Sequence, residues 1–133
     1  MKILTINGII DTKDVEFIGI EKKGGIMPEY WVAACIDGQF FEFDNTRTID
    51  EIKVVRKFEA IANIIKQNHP KDFVCIGVHL VNVDKASYFI EELKNGKVKI
   101  KVKLSNGISL RKKFKSTEMP EKLNEILNED KER

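Results

Sequence analysis

The chain is short of the residues that carry most enzyme chemistry. Its 133 residues include two histidines, two cysteines, one tryptophan and three prolines. No H-x-x-x-H, H-E-x-x-H or C-x-x-C spacing occurs, so neither an imidazole nor a thiolate metal site is expected. Cys35 and Cys75 each lie in an apolar, strand-like run and read as small buried hydrophobes under reducing conditions, not as a disulfide framework. Gly24-Gly25 lacks the flanking glycines and lysine of a phosphate-binding loop or dinucleotide fingerprint, so no cofactor is expected. No apolar run approaches the roughly 18–20 residues that cross a bilayer. The start, M-K-I-L-T-I-N-G, has neither an apolar signal core nor a small-residue cleavage site. A cytoplasmic protein is the expectation, and an enzyme is not.

What is present describes a globular chain. Apolar residues make up 42% and charged residues 33%, enough to build one core over residues 1–133 as a single domain. Lysine outnumbers arginine 19 to 4 beside 18 isoleucines, a bias common in AT-rich genomes, including phages and mobile elements.

The net charge of +2 conceals a segregation. Residues 97–115 hold eight cations and no acid, leaving 15 basic against 21 acidic residues elsewhere. The turn of this stretch decides what the charges do. A two-residue turn at Asn106-Gly107 would oppose Val102 to Arg111 and Leu104 to Ser109, mixing polar and apolar residues on each face. A three-residue loop, Ser105-Asn106-Gly107, with glycine in the left-handed region, sets Leu104 against Ile108, Val102 against Leu110 and Val98 against Phe114. One face is then apolar except for Lys112. The other carries Lys97, Lys99, Lys101, Lys103, Arg111, Lys113 and Lys115, with Ser109 and no aromatic residue. Three like-charged pairs each cost about 0.2–1 kcal/mol, which a domain stable by roughly 5–15 kcal/mol can bear. These seven residues are the candidate anion-binding site. Their partner is expected to be duplex nucleic acid or a nucleotide-type ligand, because lysine suits phosphate better than base readout. Two other readings stand beside it. One is an edge kept soluble by charge. The other is a protein-interaction or inhibitor module in which this hairpin or the acidic C-terminal helix docks a complementary protein surface or a second subunit.

The remaining pattern is α+β, a mostly antiparallel sheet with about three helices in the order ββββαβαββα. Asn7-Gly8 signals a first hairpin, and Val15 to Glu21 a strand. Asp37-Gly38 signals a type I′ hairpin pairing Ala34 with Phe41 and Val32 with Phe43. Thr48-x-x-Glu51 reads as a capping box for a helix with Ile52, Val55, Phe58, Ala62 and Ile65 inward, stopped at Asn68-His69-Pro70. Residues 73–81 read as one buried central strand. Asp84 to Asn95 reads as a helix with Ala86, Phe89, Ile90 and Leu93 inward and Gly96 at its end. A last helix from about Thr117 places Glu118, Glu121, Glu125, Glu129 and Glu132 opposite Met119, Leu123, Ile126 and Leu127, so its acids should point away from the lysines.

Four residues apart on one strand, Cys75 and His79 would be about 13 Å apart, beyond the hydrogen-bond reach of a nucleophile–base pair. Cys35 can approach His79 only if their strands are neighbours. His69, in the helix-ending turn, is expected at the surface, and His79 in the core. Tyr30 and Trp31 point to opposite faces of one strand, one of them a candidate contact for a protein partner.

Overall fold

The computed structural model describes residues 1–132, apart from the side chains of 126 and 129–132. The architecture is α+β with antiparallel sheets, and its chain order is five strands, a helix, five strands and a helix. Strands β1 (Lys2–Thr5) and β2 (Gly8–Asp11) form a hairpin whose two loop residues are Ile6 and Asn7. Strands β3 (Phe17–Lys23), β4 (Glu29–Ile36) and β5 (Gln39–Glu42) follow, then helix α1 (Glu51–Asn68). Next come β6 (Phe73–Ile76), β7 (His79–Asn82), β8 (Ser87–Glu92), β9 (Lys97–Lys103), β10 (Ser109–Lys115) and helix α2 (Glu121–Glu132). One sheet runs β5-β4-β3-β7-β6 and another β10-β9-β8.

Strand alternation explains the layering. On β3, Ile18 points to one side and Phe17 to the other. Ile18 joins Val32, Ala34 and Leu80 beneath Val54, Phe58, Ala62 and Ile65 of α1. Phe17 joins Cys35, Val74 and Val81 against Val98, Ile100 and Val102 of the second sheet and Leu123 of α2. The five-stranded sheet is therefore covered by a helix on one face and by the apolar side of β8–β10 on the other.

Several local expectations hold. Asp37 and Gly38 have φ of 50° and 80°, and Ala34 pairs with Phe41, as a type I′ hairpin requires. Helix α1 ends at Asn68, with the His69 N–H donating to the Ile65 carbonyl. Its start differs. Thr48 exchanges both backbone hydrogen bonds with Tyr30 (2.8 and 2.9 Å), so it is held in extended pairing. The cap moves to Asp50, whose carboxylate accepts from the N–H of Ile52 and Lys53. The buried stripe turns accordingly: Val54 is inside, while Ile52 is 67% exposed.

Two elements are corrected. Residues 73–81 are not one strand. Gly77, with φ of 60°, opens a two-residue turn, and Ile76 pairs directly with His79. Glycine in the first loop position suits a type II′ hairpin, and β3 becomes the central strand. Residues 84–95 are not a helix. Asn82 closes a tight turn by accepting the N–H of Lys85 and Ala86, and β8 pairs with β9 from Ser87–Lys103 through Glu92–Val98. Asn95 and Gly96, both at φ of 69°, form the hairpin turn. The helical spacing of Ala86, Phe89, Ile90 and Leu93 loses because β9 has a free edge and the Tyr-Phe-Ile run suits a pleated surface.

Helix α2 is fastened by apolar and ionic contacts. Leu123 is buried, and the Lys122 ammonium lies 2.7 Å from Asp72 and 2.5 Å from Asp84. Lys71 meets Glu121 at 3.2 Å. The hydrogen bond from Lys122, followed by that of His69, holds Asp72 below the usual carboxylate range. A depressed carboxylate stabilises the fold fully above its unfolded value of about 3.9 and less as pH falls through the folded value. Lys122→Met is expected to lower stability by about 1 kcal/mol at pH 7. The difference from wild type should shrink below about pH 4, as measured by urea unfolding across pH.

Candidate anion-binding face

Strand β9 alternates strictly. Val98, Ile100, Val102 and Leu104 are buried, while Lys97, Lys101 and Lys103 are exposed and Lys99 half-buried. The register with β10 is Lys103–Ser109, Val102–Leu110, Lys101–Arg111, Ile100–Lys112, Lys99–Lys113, Val98–Phe114 and Lys97–Lys115. It follows from the three-residue loop. The Leu104 N–H donates to Ile108, the Gly107 N–H donates to Leu104, and Gly107 has φ of 89°. All seven sequence-selected cations thus stand on one solvent-facing surface. Among the described residues none of the seven takes part in an ion pair. Lys112, the eighth cation, leans to the apolar side. Its ammonium sits 4.9 Å from the centroid of Phe114 and donates to the Cys75 carbonyl at 3.2 Å, so its charge belongs to the fold.

The third strand changes the face. Pairing places Ser87 beside Lys103, Phe89 beside Lys101 and Glu91 beside Lys99. The expectation of a charged surface without an aromatic residue is overturned, because Phe89 is 67% exposed within it. Glu91 likewise adds one carboxylate to a surface expected to have none. Phe89, Lys99, Lys101, Lys103 and Arg111 line an open groove of about 540 Å³, within the range of small-ligand sites. A second groove, of about 330 Å³, continues past Lys103 toward the hairpin tip and is lined by Lys85 and Ser105. Sequence reasoning missed Ser87, Phe89, Glu91 and Lys85. The available signal was Asn95-Gly96, a hairpin turn between two strand-like runs.

Glu118, Glu121 and Glu125 are exposed while Leu123 is buried, and Met119, Leu123 and Leu127 pack in the core beneath β8–β10. Glu118, Glu121 and Glu125 therefore point away from the cationic face. Glu129 and Glu132 lie outside the described side chains, as does Ile126.

The remaining reactive groups are dispersed. The β6–β7 turn places Cys75 opposite Leu80 and His79 opposite Ile76, so Cys75 and His79 occupy different faces of the sheet. Cys35 and His79 share a face, but β3 lies between β4 and β7. Burial pushes the Cys35 thiol up and the His79 imidazole down. The His79 ring lies over Gly19, with Cδ2 3.1 Å from where a Cβ there would stand, and beside Phe17. His69 is not the surface residue expected. Its side chain is 16% exposed, hydrogen-bonded to Thr12 at 2.6 Å and packed on Phe73, because α1 ends beside the turn that follows β2 and the start of β6. Tyr30 packs toward the α1 core, and Trp31 lies under the Arg47 guanidinium at 4.3 Å, which Glu29 and Glu42 also hold.

No protein-family model matches the chain, no curated protein matches it, and no solved structure matches it. Among the described residues no helix is long and apolar enough to cross a membrane.

Proposed function

We propose that the chain is a non-enzymatic nucleic-acid-binding protein whose β8–β10 face receives phosphates. One observation supports this most: seven cations share a surface on which none has an ion-pair partner among the described residues. Lysine is a hydrated point charge without arginine's planar fork, so a lysine-rich face favours phosphate over a particular sequence. Alternate β9 residues recur about every 6.8 Å, and the four lysines span about 20 Å, a track for several phosphates.

Salt dependence tests the reading. Contact with three to five phosphates gives log K against log salt a slope of about −2 to −3.5 for a single strand and about −3 to −4.5 for a duplex. Fluorescence anisotropy of labelled oligonucleotides between 50 and 200 mM NaCl measures it. A flat response, or no binding at 50 mM, refutes the proposal. The second reading, docking of an acidic protein surface or a second copy, draws on the exposed Glu118, in the turn before α2, and Glu125 of α2. It leaves oligonucleotides unbound.

A further inference from the structure

We infer that the partner of this face is a single-stranded nucleic acid with one base stacked on Phe89; the inference rests on the phosphate-binding reading above. Phe89 is 67% exposed on the solvent side of a sheet whose opposite side is packed. Scattered surface hydrophobes are ordinary, but this one stands in the lining of the cationic groove. Its cross-strand neighbour is Lys101, and the next residue across is Arg111. Among the described residues no aromatic ring and no cation stacks on it.

A ring flanked by cations is what a single strand uses. Its bases offer free π-faces while its phosphates follow a basic track. A duplex keeps those faces inside its own stack and offers the groove only phosphates and base edges, so Phe89 adds nothing to duplex affinity. The neighbours on β8 divide the labour. Glu91, beside Lys99, repels a phosphate and accepts hydrogen bonds from exocyclic amino groups. Ser87, beside Lys103, both donates and accepts. The bases are therefore placed over β8, and the backbone runs over β9 and β10. The expectation of a duplex drawn from an aromatic-free ribbon is replaced, because the third strand supplies the stacking surface that the hairpin lacks.

The test compares wild type, Phe89→Ala and Phe89→Trp on labelled dT12, U12, a 12-base-pair duplex, inorganic polyphosphate and poly-glutamate at 50 mM NaCl. An exposed position tolerates both substitutions, and circular dichroism checks the fold. Phe89→Ala is expected to weaken dT12 or U12 binding about 5- to 100-fold, with the salt slope and duplex affinity unchanged. Phe89→Trp should retain the affinity and add fluorescence that the bound strand quenches. Equal dT12 and U12 binding by wild type and Phe89→Ala overturns the stacking inference while leaving the phosphate-binding reading intact. Failure of wild type to bind any oligonucleotide or polyphosphate overturns both, as does tighter binding of poly-glutamate than of dT12.

Discussion

Reversing Lys99, Lys101 and Lys103 to glutamate is expected to reduce oligonucleotide affinity at least 100-fold at 50 mM NaCl and to bring the salt slope close to zero. The seven cations and Glu91 leave six net positive charges on the face. The triple variant carries four cations against four carboxylates, and a neutral face releases few counterions. The same substitutions relieve the fold. Lys99 opposes Lys113 and Lys101 opposes Arg111, so two repulsive pairs become attractive, each a change of about 0.2–1 kcal/mol. New repulsions arise against Glu91 beside position 99 and against Glu16, which lines the same groove as position 103. The melting temperature should hold or rise, which separates lost binding from lost structure. Wild-type affinity in a folded triple variant would return the lysines to a purely solubilising role.

The largest effect on stability is expected at Phe17. Its side chain is 1% exposed on the central strand, between Cys35 and Val81, with the Phe40 and His79 rings each 6.1 Å away. It is also packed with Val98, Ile100 and Val102, the residues that underlie the lysine face. Phe17→Ala removes a full aromatic side chain from the contact between the two sheets and should cost about 3–5 kcal/mol, a large share of roughly 5–15. The urea midpoint should fall by more than about 1 M at unchanged slope. Phe40→Ala, at a position 40% exposed, should cost much less. Similar losses at both sites would show that Phe17 is not the joint between the layers.

The α+β class, the Asp37-Gly38 hairpin, the end of α1 and the register of β9 with β10 were legible because each depends on local signals: turn glycines, a proline stop and alternation. The misreadings arose where tertiary pairing decided the outcome. A helical stripe and a strand alternation coexist in residues 86–93, and only the open edge of β9 selects the strand. The apolar run 73–81 conceals its turn because Gly77-Val78 carries no polar residue. Thr48 satisfies a capping pattern, yet its backbone is engaged by Tyr30 of β4, a pairing that no local pattern around Thr48 announces. The seven cations of the candidate site could be found from charge alternation. Phe89 could not, because its facing was set by the strand assignment.

Residue parity follows from the two loops that join β8, β9 and β10. Each holds three residues, 94–96 and 105–107, and an odd loop conserves parity across the turn. On all three strands the odd-numbered side chains meet solvent, and the even-numbered ones turn toward the core or its margin. The sheet therefore separates two inheritances in a single stretch of chain. Odd positions within the three strands can change surface chemistry one residue at a time, while the even positions preserve the scaffold beneath them and Asn95, Gly96 and Gly107 keep the turns.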